Sequence, residues 1–138
     1  MRKLKSILML LLIMVTVGGC KQSSERFNVS ITVDRETYMT IMSSVQGITL
    51  SPVISTSLAE KGIVYEWIAS DGGFIKSMSN HIINDGDSVL WNPFNLDSTV
   101  AMGTTTITLN LRDKITNNLL AKKTLKIEFD NQIYRVVK

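Results

Sequence analysis

The sequence predicts an all-β domain behind an N-terminal signal peptide, and three observations carry that prediction. About seven short runs alternate apolar and polar residues with a period of two. Turn-forming residues separate the runs roughly every 8 to 12 positions, and no long amphipathic helical pattern competes with them. Runs spaced in this way form an antiparallel sandwich or barrel, each strand setting one face in the core and the other in water.

The chain of 138 residues opens with MRKLKS, then an apolar run from Ile7 to Val17, then Gly18, Gly19 and Cys20. A charged zone, an apolar zone and small residues in that order make a signal peptide over residues 1–19. The run is too short to span a hydrocarbon core of roughly 30 Å. Val17-Gly18-Gly19-Cys20 resembles the lipobox of bacterial lipoproteins. That resemblance implies removal of the preceding peptide and transfer of a diacylglyceryl group to the Cys20 sulfur, with acylation of the new N-terminus. Two or more acyl chains anchor stably where one holds only marginally.

Removing residues 1–19 takes away three of the fifteen basic side chains, Arg2, Lys3 and Lys5, and none of the twelve acidic ones, so the two signs become equal. No clustered positive field is then expected, and a nucleic-acid partner is excluded. Cys20 is the sole cysteine. A mature domain of about 119 residues must therefore hold together by packing alone, which that length permits.

Residues 20–26 comprise the cysteine and a polar tether, KQSSER, reaching at most roughly 20 Å. The domain follows over residues 27–138. Phe27, Val29, Ile31 and Val33 alternate with Asn28, Ser30 and Thr32 as a first strand. Asp34 to Val45 leaves a short helical turn or an irregular edge crossing open. Ile48, Leu50 and Ile54 form the second strand, with Pro52 at an edge or bulge because it cannot donate to a ladder. Ser57 to Gly62 turns.

Ile63, Tyr65, Trp67 and Ala69 then alternate with Val64, Glu66, Ile68 and Ser70, a strand apolar on both sides except at Glu66 and suited to the middle of a sheet. Asp71-Gly72-Gly73 turns the chain, and Phe74 and Ile75 begin a short strand. Lys76 to Ile83 is polar and mixed, and Asn84-Asp85-Gly86-Asp87 is a turn. Val89 and Trp91 alternate with Ser88 and Leu90, up to Asn92-Pro93. A loop over residues 94–103 precedes the clearest strand, Thr105, Ile107, Leu109 and Leu111 against Thr106, Thr108 and Asn110. After a turn at Lys114 to Asn118, the last run returns from Leu119 to Phe129.

The stretches YEWIASDGGF, VLWNPF, TTTITLNLRD and KKTLKIEF resemble the strands of bacterial immunoglobulin-like and PKD-like domains. The resemblance covers roughly residues 27 to 130 and implies a single antiparallel immunoglobulin-like sandwich. The paired cysteines of antibody domains are absent, and the Asp-Gly-rich turn of PKD repeats is only partly matched by Asp71-Gly72-Gly73.

Catalytic patterns are sparse. The single histidine, His81, lies in SMSNHIIN and reads as a solvated loop residue, with no glycine-framed serine to serve. One histidine and one committed cysteine make a poor zinc set. Asp85 and Asp87 offer oxygens that Ca²⁺ could use, but no glutamate closes a twelve-residue loop, and a hairpin turn accounts for them. No phosphate-binding loop follows Gly72-Gly73. Asp71 and Asp113 end strands, where aspartate caps turns.

Among the aromatics, Trp67 is the expected core tryptophan, while Trp91 and Phe94 are the candidate binding rim. The expectation is a lipid-anchored protein on the extracytoplasmic face of the cell membrane. Its immunoglobulin-like domain would bind or space a protein or glycan partner without catalysis or cofactor. An accessory enzyme or enzyme inhibitor of the cell envelope is the alternative.

Overall fold

The computed structural model describes residues 27–41 and 46–138. The signal peptide, Cys20 and the tether fall outside them. The described residues form two antiparallel sheets, built from β1 (Val29–Val33), β2 (Thr37–Met39), β3 (Ile48–Ile54), β4 (Ile63–Ala69), β5 (Gly73–Phe74), β6 (His81–Asn84), β7 (Val89–Asn92), β8 (Thr104–Asp113), β9 (Leu119–Asp130) and β10 (Ile133–Val137). One sheet runs β1-β3-β7-β5 and the other β2-β10-β9-β8-β4-β6. Ten strands thus stand among the described residues where the alternation predicted about seven.

The two sheets face each other across one core. Ile48, Leu50, Phe74, Val89 and Trp91 come from the smaller sheet, and Tyr65, Trp67, Ile107, Leu109, Leu111, Ile127 and Tyr134 from the larger. Side chains of alternate residues point to opposite faces, so the inward side chains of a run fall on every second residue. In β4, Ile63, Tyr65, Trp67 and Ala69 are buried, and Val64, Glu66 and Ile68 face outward half-exposed. That strand lies between β8 and β6, inside its sheet as its two-sided apolarity required. Pro52 pairs with Ile31 of β1 but lies past the stretch of β3 that pairs with β7. It therefore has a ladder on one side only.

Of four elements, one resolves an open alternative and three differ from the sequence reading. Residues 34–41 take the edge-crossing alternative: the chain leaves β1 and pairs Thr37–Met39 with β10 of the other sheet, burying Tyr38. Residues 42–45 are outside the described set. A single helical turn, α1 (Thr56–Ala59), occupies part of the expected turn and buries Leu58. His81 opens strand β6 instead of lying in a loop, because Ile82 packs inward beside Trp67 while His81 pairs outward beside Ile68. The fourth, β10, is reached through Asn131 and Gln132, both at positive φ (47° and 69°). A two-residue hairpin of this hand needs positive φ at both central positions.

The sandwich has two distinct ends. At the near end the described chain begins at Phe27, under the Lys61 ammonium at 5.2 Å, and the Asn28 carbonyl accepts a hydrogen bond from Ser55 N at 2.9 Å, beside α1. Lys114 N donates to the Gly62 carbonyl there at 2.8 Å, so the β8–β9 turn shares this end. The far end carries residues 70–72, 75–80 and 93–103, together with the Asn131-Gln132 hairpin. Strand β4 runs from one end to the other, a rise of roughly 20 Å.

Candidate binding pocket

The far end holds a cavity of about 690 Å³ between two turn-rich segments, residues 70–80 and 92–99. Its first wall is built where β4 runs out. Ser70 ties the strand end to β8, its amide donating to the Thr106 carbonyl at 2.9 Å and its hydroxyl accepting from Thr106 N at 2.8 Å. Asp71 and Gly72 then reverse the chain. Gly72 sits at φ +72°, and a Cβ there would come within 2.5 Å of the Asn92 carbonyl oxygen and 2.8 Å of Trp91 Nε1. Only glycine meets both demands.

The second wall is the loop after β7. Asn92 Oδ1 accepts from Phe94 N at 2.8 Å, and Ala101 N donates to the Pro93 carbonyl at 2.7 Å. A tight turn from Asn95 to Thr99, with Ser98 at φ 66°, is closed by Asn95 N donating to the Thr99 carbonyl at 2.9 Å. Met78, at φ 50°, turns the chain between β5 and β6. Non-glycine residues held in the left-handed region cost free energy and persist where the surroundings fix them. Two of them flank this one cavity.

Polar side chains lock the walls together. Asp71 Oδ1 accepts from Gly72 N at 2.9 Å and from Asn95 Nδ2 at 2.7 Å. The same Asn95 amide donates to Thr99 Oγ1 at 3.1 Å, and Thr99 donates to Asp97 Oδ1 at 2.5 Å. One hydrogen-bonded chain therefore joins two carboxylates from different segments. The Thr99 hydroxyl and amide hold the Asp97 carboxyl below its ordinary pKa. The apolar share of the lining comes from Phe74, Ile75, Met78, Phe94 and Leu96, the last four exposed to solvent to differing degrees.

The pocket rests on the core through Trp91, whose Nε1 donates to the Asp71 carbonyl at 3.0 Å. Its ring packs edge-on to Tyr134, centroids 5.6 Å apart. Tyr134 donates in turn to the Ala101 carbonyl at 2.8 Å. Burial, with the negative charge of Asp71 as a smaller cause, pushes the Tyr134 phenol up to about 12.

Of the expected rim, the structure separates the two members. Trp91 is wholly buried, because it pairs with Ile48 and Phe74 on the inward face of β7. Phe94, past the Asn92-Pro93 turn, is 49% exposed and lines the cavity. Phe94 thus shares the cavity lining with exposed Met78 and Leu96, and Trp91 lies in the core. Cys20 lies outside the described residues. Nothing in the sequence marks Asp71, Asn95 and Asp97 as site residues, since each is an ordinary turn former and Asp71 and Asn95 meet across 24 positions.

Several other polar groups are committed to structural partners. Asn84 spans its own turn, accepting from Gly86 N at 3.0 Å and donating to the Asp87 carbonyl at 2.9 Å. Asp113 Oδ1 accepts from Ile115 N and Thr116 N at 2.9 and 2.8 Å. On the outer face of the larger sheet, Glu66 accepts from Asn110 Nδ2 at 2.9 Å and Arg112 Nε at 3.1 Å, with His81 Nε2 at 3.2 Å. Asn110 first, then Arg112 and His81, hold its carboxyl below the usual range against the opposing effect of burial. Among the described residues, no group of three or more His, Cys, Asp or Glu side chains is placed to hold a metal ion.

Comparison of the chain with protein-family models, curated proteins and solved structures finds no match in any of the three.

Proposed function

We propose that this chain is a lipid-anchored protein of the extracytoplasmic face of the cell membrane, whose immunoglobulin-like sandwich binds a protein or glycan partner in the far-end cavity without catalysis. One observation carries the binding half of this reading. The cavity, with its apolar lining and few converging polar groups, has the size and character of a ligand site. It lies at the end of the sandwich opposite to the one where the chain leads back toward Cys20. For a chain anchored at Cys20 this would be the end away from the membrane.

Support for the immunoglobulin-like part comes from strand order. The sheet β1-β3-β7-β5 follows the A-B-E-D order of that fold, and β9-β8-β4-β6 follows G-F-C-C′. Two departures accompany it: β5 precedes β6 in the chain although D follows C′, and β10 with β2 extends the larger sheet beyond the G position.

Both halves are open to test. Cys20→Ala should abolish fatty-acid labelling and move the protein from the membrane to the soluble fraction, and unchanged retention would refute the anchor. A protein or glycan held by the wild-type chain should be lost from Phe94→Ala at the far end and kept by Ile115→Ala at the near end. Equal loss from both would remove the cavity as the site.

A further inference from the structure

We infer that the far-end cavity takes a lysine or arginine side chain of a partner polypeptide, its cation meeting Asp71 and Asp97 and its alkyl stem lying against Phe94, Met78 and Leu96. The inference rests on the reading of this cavity as the binding site and names what it recognises.

Charge complementarity decides the sign. Asp71 and Asp97 are the two ionisable side chains in the lining, and no basic side chain among the described residues lines it. Lys76, in the same turn as Met78, stands outside. An anionic ligand would meet two carboxylates and no counter-charge, an arrangement that suppresses it.

The carboxylates are also presented for use. Each spends Oδ1 on the cavity walls: Asp71 on Gly72 N of its own wall and Asn95 Nδ2 of the other, Asp97 on Thr99 N and Oγ1. Among the described residues, no other side chain donates to either Oδ2. One acceptor oxygen per carboxylate therefore remains, on groups whose rotamers the Asn95–Thr99 chain already fixes, so binding a cation costs little further ordering.

The apolar part decides between a polypeptide and a glycan. Sugar sites lay a pyranose ring on a flat aromatic platform, and the exposed aromatic here is a single phenylalanine. Beside it stand Met78 and Leu96, 73% and 74% exposed, together with Ile75. Unbranched and branched aliphatic side chains adapt to apolar stems, and methionine does so especially well. A basic side chain offers such a stem beneath its charge, and its neighbours in a peptide supply further apolar contact for a volume larger than one side chain needs.

The test uses the full chain in non-ionic detergent micelles, followed by amide NMR shifts at Gly72, Gly73 and Phe94. The probes are blocked tripeptides Leu-Lys-Leu, Leu-Gln-Leu and Leu-Glu-Leu and a neutral N-acetylglucosamine oligomer. The lysine peptide should bind about fivefold more tightly than the glutamine peptide, the scale of one exposed ion pair, and the glutamate peptide most weakly. Asp71→Asn with Asp97→Asn keeps every Oδ1 acceptor and should bring the three peptides together. Equal binding of the three to the wild-type chain at these amides would overturn the cationic assignment and leave the cavity as a site. Binding of the sugar alone would overturn it in favour of a glycan. No shift at these amides with any probe would overturn the binding reading with it.

Discussion

The two tryptophans are both wholly buried, yet their indole N–H groups have opposite surroundings. Trp91 donates to the Asp71 carbonyl, whereas Trp67 Nε1 is buried with no hydrogen-bond partner among the described residues. An unpaired buried donor costs about 1 to 3 kcal/mol. Trp67→Ala should destabilise the domain by about 3 to 5 kcal/mol through the cavity it leaves. Trp67→Phe should cost much less, because it deletes the unpaired donor together with part of the ring. Trp91→Phe should cost more than Trp67→Phe, since it strips the Asp71 carbonyl of its donor. Urea unfolding of the three variants checks the order. The sequence distinguished these residues by their flanks: Trp67 sits in a run apolar on both faces, and Trp91 stands just before Asn92-Pro93. The first inference survives. For Trp91 the turn begins one residue later than the ring, so only Phe94 is carried outward.

At the scale of strands, the outward lane of β4, β6 and β8 is organised by Glu66 between His81, Asn110 and Arg112. Its folded pKa lies below the ordinary 4.5, so the folded state binds fewer protons in acid than the unfolded one. The stabilisation is therefore complete above about pH 4.5 and is lost as pH falls through the folded value. Glu66→Gln should lower stability by about 1 to 2 kcal/mol at pH 7. The gap between variant and wild type should narrow as pH falls below about 4.5, as read from urea midpoints across the acid range; a gap constant with pH would count against the charge.

Strands with several alternating apolar residues were legible: β1, β3, β4, β7, β8 and β9. The missed ones are short or cryptic for physical reasons. In β6 a single apolar residue, Ile82, faces inward beside Trp67. Strand β10 follows a hairpin whose positive-φ positions are Asn131 and Gln132 instead of the glycine that usually announces such a turn. For β2, the deciding contact is Tyr38 against Tyr134, ring centroids 6.2 Å apart, which is wholly non-local.

The whole molecule is a polar object in the geometric sense, with the described chain starting at one end and the cavity at the other. A fluorophore placed by cysteine substitution at Ile115, 94% exposed in the near-end turn, or at Leu96, 74% exposed beside the cavity, samples the two ends. With Cys20 acylated, the near-end probe should be quenched strongly by an acceptor in the bilayer and the far-end probe weakly; equal quenching would exclude the upright orientation. The cavity itself was illegible in sequence because its walls are two runs of turn formers, DGGF and NPFNLDST, whose meeting is a property of the folded sandwich. What periodicity shows is which residues go inward, and a pocket made of loop side chains has no period. The opposition of ends also sets where a partner must come from. For a chain anchored at Cys20, the site stands roughly one strand length beyond the near end. It is offered to the aqueous phase and to facing surfaces, and a neighbour rooted in the same leaflet would need a comparable stalk to reach it. Recognition would then be a three-dimensional search in trans, with encounter governed by solution concentration more than by diffusion along the membrane.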